Sequence, residues 1–174
     1  MSLAVCLLFD RRGESALRRL WAALEAQGIR SLASHTHGRH HPHISYAVLL
    51  DWDLEAVRDR LGRLPDGGPF ELRFHGVVAF PRGRACLVPA VTSEVMQRQE
   101  AVSEAVVGTG ATLHRHYRRG DWVPHCSLSP RATGALLPVA VRMATDALPL
   151  TVRVERAALI DSGTGQSWEL PGIP

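Results

Sequence analysis

Pro42-His43-Ile44-Ser45 is a four-residue segment that recurs 82 residues later as Pro124-His125-Cys126-Ser127. Both copies lie at the start of a segment of strand character. Residues i and i+2 of a strand share a face and lie about 6.6 Å apart along it. Each histidine is therefore expected to point the same way as its serine, whereas Ile44 and Cys126 are expected to face the core.

The segments around the two motifs follow one another in the same order. In the first half the patterns predict a strand over residues 3–9, a helix over 14–27, the motif strand over 42–50, a short helix with Leu54, Val57 and Leu61, and hairpin strands over 70–80 and 85–91. In the second half they predict a helix from Thr92 or Ser93 to about Gly108, the motif strand over 122–129, a helix over 136–147, and strands over 150–160 and 166–170. The repeated order indicates an internal duplication.

This duplication predicts an α+β fold with two pseudo-symmetric lobes of antiparallel sheet and outer helices. A pseudo-twofold relation between the lobes would bring both motifs to one cleft. We expect residues 1–174 to form a single bilobal domain. A domain of this length buries roughly 70% of its unfolded surface and needs no disulfide or structural metal to fold.

The composition is that of an ordinary globular protein, with 45% hydrophobic and 21% charged residues. The apolar residues 1–9 are interpreted as a strand rather than a signal peptide, because no basic region precedes them. No apolar run has the length of a membrane helix. Three widely spaced cysteines, Cys6, Cys86 and Cys126, favour a reducing compartment over a disulfide framework. A soluble, cytoplasmic protein is expected.

The basic residues are twenty arginines and no lysine, although the formal net charge is only +3. Guanidinium groups suit bidentate contacts with phosphate. The low net charge argues against a protein that wraps a long duplex. A small anionic ligand or the end of a nucleic acid is the better fit.

Two imidazoles and two hydroxyls in one cleft suit acid-base phosphoryl transfer. A neutral imidazole takes a proton from water or a hydroxyl, and an imidazolium protonates the departing oxygen. Histidine suits both roles because its unperturbed pKa is about 6.5. We therefore predict His43 and His125 as the catalytic pair and Ser45 and Ser127 as the phosphate-binding hydroxyls, with no metal and no cofactor.

The twin His-x-Ser motifs, the duplicated lobes and the length resemble the two-histidine phosphoesterase superfamily, in particular its bacterial RNA 2',5'-ligase and cyclic phosphodiesterase branch. The resemblance spans essentially the whole chain, and both hydroxyl positions carry serine where threonine is frequent. It implies hydrolysis of 2',3'-cyclic phosphate ends, typically to 2'-phosphates, and in some members reversible 2',5' ligation. The implied partners are RNA ends or small cyclic nucleotides. Separately, we expect a monomer that does not associate with a membrane.

Further polar and aromatic residues are candidates for substrate binding. Tyr46 and Trp122 flank the motifs and could stack a base, although core packing suits them equally. The arginines on turns and loops could hold a second phosphate or could simply be solvated; these are Arg82, Arg84, Arg115, Arg118 and Arg119.

Two other functions remain open at this stage. The protein could bind a nucleotide or an RNA end without turnover. Alternatively, the histidine-rich loop at residues 35–43 could hold zinc, although zinc sites commonly include a cysteine or carboxylate that this loop lacks. The duplication also leaves open which histidine is the acid and which is the base.

Overall fold

The computed structural model describes residues 1–174 and contains eight strands, four α-helices and one short 3-10 helix. In chain order these are β1 (Leu3–Phe9), α1 (Arg11–Ala26), β2 (His43–Asp51), α2 (Leu54–Gly62), β3 (Phe70–Phe80), β4 (Arg84–Ala90), α3 (Ser93–Val107), β5 (Thr112–Leu113), the 3-10 helix (Arg115–Tyr117), β6 (Cys126–Ser129), α4 (Leu136–Asp146), β7 (Leu150–Asp161) and β8 (Ser167–Glu169). The α+β class is confirmed.

All strands join one antiparallel sheet in the order β5-β2-β1-β7-β3-β4-β6, with β8 beside β7. The duplication is visible in this order, because β1, β2 and β3 correspond to β4, β6 and β7. The boundary between the halves is corrected, since β4, which the sequence predicted as the last strand of the first half, is the first strand of the second half. The first strand of each half pairs with the third strand of the other half. Leu3 pairs with Asp161, and Ala85, 82 positions after Leu3, pairs with Ala79, 82 positions before Asp161. The two lobes therefore share a single sheet.

All four helices pack on one face of this sheet, as the prediction of outer helices requires. They contribute Leu17, Val57, Val102 and Ala140, among others, to a core cluster that also holds the odd-numbered residues of β1. The even-numbered residues of β1 lie on the opposite face, in a small cluster with Ala158. Because every residue of β1 is buried, this strand is covered on both sides.

The sheet curls until strands near its two ends meet. β2 and β6 lie far apart in the strand order. The two strands are nevertheless in contact, and the Trp122 indole N–H donates to the carbonyl of Ser45. This curling brings the two motifs together.

The structure moves two element boundaries by more than two residues and contains two elements that were not predicted. The first helix begins at Arg11 rather than Glu14, because the Asp10 side chain caps it by accepting a hydrogen bond from Gly13. The second motif strand begins only at Cys126, since Pro124 has no N–H to donate. The polar segment 108–121 contains β5 and the 3-10 helix, neither of which was predicted.

No helix in the structure is long and apolar enough to cross a membrane. The cysteines Cys6, Cys86 and Cys126 are all buried free thiols.

The turn between β3 and β4 is held tightly against the segment that follows β6. Gly83 has φ +74°, and its carbonyl accepts a 2.7 Å hydrogen bond from the N–H of Ala132. A Cβ at Gly83 would lie 2.0 Å from the carbonyl oxygen of Ala132. By contrast, Gly68 has a similar φ of +67° and open space around the equivalent position.

We expect Gly83→Ala to lower the free energy of unfolding by about 3 kcal/mol, since left-handed backbone strain and overpacking add together. Gly68→Ala should lower it by only about 1 kcal/mol, from the backbone alone. Urea denaturation of both variants measures the difference. Equal losses would show that the contact with Ala132 is not tight.

Candidate active site

The two His-x-Ser motifs lie on the sheet face that the helices leave uncovered. His43 opens β2, and His125 immediately precedes β6. Ile44 and Cys126, between each histidine and its serine, are 1% and 0% exposed, so the prediction that they face the core is confirmed. The intervening apolar residue thus anchors each strand, and its two neighbours point to the other face.

Each motif histidine is held by the same local hydrogen bond. The Nδ1 of His43 lies 2.6 Å from the carbonyl oxygen of His41, and the Nδ1 of His125 lies 2.7 Å from that of Val123. A carbonyl oxygen can only accept, so Nδ1 carries the proton in both rings. In the neutral form, each Nε2 is therefore an unprotonated base.

Burial favours the neutral form of both imidazoles. Burial lowers the pKa of His43 below its ordinary value, and the hydrogen bond to His41 offsets part of this effect. The pKa of His125 is lowered first by burial and further by the positive charges of His43 and Arg84. Since the charge of His43 acts on His125, the two rings share one electrostatic environment. The ring of Phe80 packs edge-on against His125 at 4.9 Å between centroids.

Each motif serine faces a cysteine thiol on the neighbouring strand. Ser45 pairs with Cys6 of β1 and Ser127 with Cys86 of β4, with Oγ to Sγ distances of 3.9 and 3.8 Å. Burial raises the pKa of Cys6 to about 12 and also raises the pKa of Cys86, so both thiols are neutral. A thiol is only a weak hydrogen-bonding partner. The two thiols therefore take up little of the hydrogen-bonding capacity of these hydroxyls.

Two tryptophans fix the backbone of the motif serines from the opposite halves of the chain. The indole N–H of Trp122 donates to the carbonyl of Ser45 at 3.0 Å, and that of Trp21 donates to the carbonyl of Ser127 at 3.2 Å. Trp122 is 6% exposed and packs edge-on against the fully buried Tyr46. Stacking of a base by Tyr46 or Trp122, considered from the sequence, is wrong, because both rings are in the core.

Tyr117 is a residue near the motifs that sequence reasoning missed. Burial raises the pKa of Tyr117 to about 12, and a hydrogen bond with the Ser45 side chain lowers it in part. The buried amide of Gln99 donates to the carbonyls of both Tyr46 and Tyr117, which ties the 3-10 helix to β2. The sequence feature that could have identified Tyr117 is the presence of an aromatic residue within the polar segment 108–121.

The candidate arginines are in different surroundings. Arg84 lies close enough to lower the pKa of His125. Arg82 and Arg84 line one pocket. Arg119 instead forms an ion pair with Glu100 of α3 at 3.2 Å. Arg115 and Arg118 are exposed at the 3-10 helix and do not line that pocket.

The histidine-rich loop forms a stack of rings. His40 lies 5.8 Å from His35 and 4.2 Å from His37 between centroids. Burial and the neighbouring histidines lower the pKa of His40 to about 4. His41 instead contacts Glu14 of α1 at 3.0 Å. No group of three or more His, Cys, Asp or Glu side chains is arranged to hold a metal ion, so the zinc alternative gains no support from this geometry.

The chain matches the sequence profile of the 2'-5' RNA ligase superfamily over residues 15–166. The chain belongs to this superfamily. The resemblance to two-histidine phosphoesterases is thereby confirmed. No curated protein matches the chain by sequence at a significant level.

Solved structures show the same fold at low sequence identity. E. coli LigT complexed with NADP+ has a TM-score of 0.62 and 14% identity, over 97% of this chain and 93% of that one. A phosphoesterase has a TM-score of 0.60, with the same identity and coverage. Kluyveromyces marxianus Usb1 with uridine monophosphate has a TM-score of 0.53 and 14% identity, over 98% and 97% of the two chains. These similarities establish the architecture.

We expect ¹⁵N NMR of the ligand-free protein to show His43 and His125 as neutral Nδ1–H tautomers near neutral pH. Both should titrate below the reference pKa of about 6.5, because burial disfavours the charged ring. A pH titration of the imidazole ¹⁵N shifts measures both properties. A dominant Nε2–H tautomer, or a pKa at or above 6.5 for either ring, would contradict the arrangement described here.

Proposed function

We propose that this protein is a metal-independent phosphoesterase that hydrolyses 2',3'-cyclic phosphate or 2',5'-phosphodiester bonds in RNA ends or nucleotides. Membership in a superfamily of phosphoesterases and RNA ligases supports phosphoesterase-type activity. The observation that carries the proposal is the matched pair of motif histidines. Each presents a free Nε2 because its Nδ1 is bound to the carbonyl two residues earlier.

The reaction follows from these groups. One neutral Nε2 accepts a proton from water as the water oxygen forms a bond to phosphorus. The opposite imidazolium gives its proton to the departing ribose oxygen as the phosphorus–oxygen bond breaks. The hydroxyls of Ser45 and Ser127 donate hydrogen bonds to the non-bridging oxygens, where negative charge develops. Departure of the 3' oxygen of a 2',3'-cyclic phosphate leaves a 2'-phosphate.

The surroundings of the two rings favour one assignment of roles. Arg84 and His43 add positive charge near His125, and this charge favours the neutral ring. For His43 the main cause of the lowered pKa is burial alone. We therefore propose His125 as the base and His43 as the acid in the hydrolytic direction.

The same two histidines can serve ligation. If a ribose 5'-hydroxyl takes the place of water, its oxygen attacks the cyclic phosphate, the 3' oxygen leaves, and a 2',5' linkage forms. Proton transfers are the same as in hydrolysis. Reversal of these steps cleaves the 2',5' bond, since the forward and reverse reactions share one transition state.

We also propose that the protein acts as a monomer in the cytoplasm, because both motifs come from one chain and the cysteines are free thiols.

A second candidate function is binding of a nucleotide or RNA end without turnover. Multiple turnovers with enzyme far below substrate concentration distinguish the two.

His43→Ala and His125→Ala should each lower kcat on a 2',3'-cyclic nucleotide by about a hundredfold or more, because each removes one proton-transfer group. The exposed His75 of β3 provides a matched control, and His75→Ala should keep normal turnover. Steady-state assays, with circular dichroism to check folding, measure the effect. Near-normal turnover in either motif variant would refute the paired mechanism.

The pH profile of kcat/KM should be bell-shaped, since activity needs one neutral and one protonated imidazole. Both pKa values are lowered in the free protein, so the maximum should lie below about pH 6.5. Bound phosphate adds negative charge and raises both values, so the kcat maximum should lie at higher pH. The two limbs belong to the coupled pair rather than to single residues. A flat profile from about pH 5 to 9, with chemistry rate-limiting, would argue against this mechanism.

A further inference from the structure

A strongly cationic pocket lies beside the candidate active site. It has a volume of about 410 Å³ and is lined by His35, Arg82, Arg84, Pro130, Arg131 and Thr133. None of its residues is acidic, and none of its arginines forms an ion pair within the protein. Three arginines thus line one pocket without a counter-ion. Guanidinium pairs well with phosphate because its planar fork can contact two oxygens at once.

The pocket continues the cleft along β4. Arg84 lies two residues before Cys86, whose thiol contacts the Ser127 hydroxyl. Alternate residues of a strand share a face, so Arg84 lies on the cleft face about 6.6 Å along the strand from Cys86. The positive charge of Arg84 lowers the pKa of His125 on one side and of His35 on the other. Arg84 therefore connects the pocket to the face of β4 on which Cys86 contacts Ser127.

The backbone that carries the arginines is fixed before any ligand binds. Arg82 has φ +69°, a left-handed conformation that is unfavourable for a residue with a side chain. The hydrogen bond from Ala132 to Gly83 joins the Arg82–Arg84 turn to the segment that carries Arg131. Backbone strain that the surrounding structure maintains is typical of functional sites.

His35 contributes to the lining of the pocket from the histidine-rich loop. Burial lowers the pKa of His35, and the positive charges of Arg30, His37 and Arg84 lower it further. The neutral ring is therefore favoured, and the positive charge of the pocket comes from its arginines.

We propose that this pocket binds a second, non-reacting phosphate of the substrate. The inference rests on the proposed phosphoesterase function and narrows its substrate class. The preferred substrate then carries a phosphate next to the reacting one, either an internucleotide phosphodiester of RNA or a terminal phosphate of a small nucleotide. A nucleoside 2',3'-cyclic phosphate with no other phosphate leaves the pocket empty.

Three substrates test the proposal on the full-length protein: a nucleoside 2',3'-cyclic phosphate, the same compound with an added 5'-phosphate, and a dinucleotide ending in a 2',3'-cyclic phosphate. We expect kcat/KM to be about tenfold higher or more for a substrate with the extra phosphate, the range of one or two charge-assisted hydrogen bonds. A preference for the dinucleotide alone identifies the internucleotide phosphate as the ligand. A preference for both compounds identifies any adjacent phosphate. Equal values for all three substrates would overturn the proposal.

Variants of the pocket should remove this preference. Arg131→Ala and Arg82→Asn should each bring the ratio of kcat/KM values close to one; asparagine is chosen at position 82 because it tolerates the left-handed backbone. Arg60→Ala is the matched control, because Arg60 is an exposed arginine of α2 outside the pocket, and it should keep the ratio. Arg84 is left unchanged because its charge also acts on His125. A preference that persists in the pocket variants would overturn the proposal.

A binding measurement separates this inference from the proposed function. If the wild-type protein hydrolyses none of the three substrates, the proposed function fails, but inorganic phosphate still probes the pocket. Titration with phosphate should shift the Nε–Hε NMR signals of Arg82, Arg84 and Arg131 and leave that of Arg60 in place. These shifts should weaken in Arg131→Ala. Absence of any shift at the pocket arginines would refute the site itself.

Discussion

The exchange of strands between the two halves of the chain is the constraint on which the rest of the structure depends. Because β1 pairs with β7 and β3 pairs with β4, neither half completes its own sheet. The shared sheet curls, and β2 and β6 approach each other from near its two ends. Trp21 and Trp122 then connect each motif serine to the other half through a backbone carbonyl. The relative placement of the two motifs is thus built into the core.

In each motif, a short hydrogen bond between the imidazole Nδ1 and a backbone carbonyl determines which ring nitrogen can act as a base. A hydrogen bond of this kind contributes only about 1 kcal/mol to stability. Its larger effect is on the position of a proton, because a carbonyl acceptor requires Nδ1–H and leaves Nε2 as the basic atom. The backbones of His41 and Val123 supply these carbonyls, so the hydrogen bond to Nδ1 does not depend on either side chain.

The sequence allowed the prediction of features that depend on local spacing. The i, i+2 relation placed His43 and Ser45 on one face and Ile44 in the core, and the repeat at 82 residues predicted the duplication. Contacts set by the register of distant strands could not be predicted. Cys6 and Cys86 come to face the motif serines only because of the pairing of β1 with β2 and of β4 with β6. The sequence could not predict the environment of Trp122, because a residue so close to the motif in sequence can place its ring either in the cleft or in the core.

The strand exchange also has a consequence for the order in which the chain can fold as it is made. Leu3 pairs with Asp161, so one edge of the interior strand β1 has no partner until the residues of β7 have left the ribosome. Contacts between residues so far apart in sequence form slowly, because a long loop must close first. An unpaired strand edge with apolar residues on both faces is prone to aggregate during that interval. Pairing of β7 with β1 is therefore the step that covers this edge and removes this risk of aggregation.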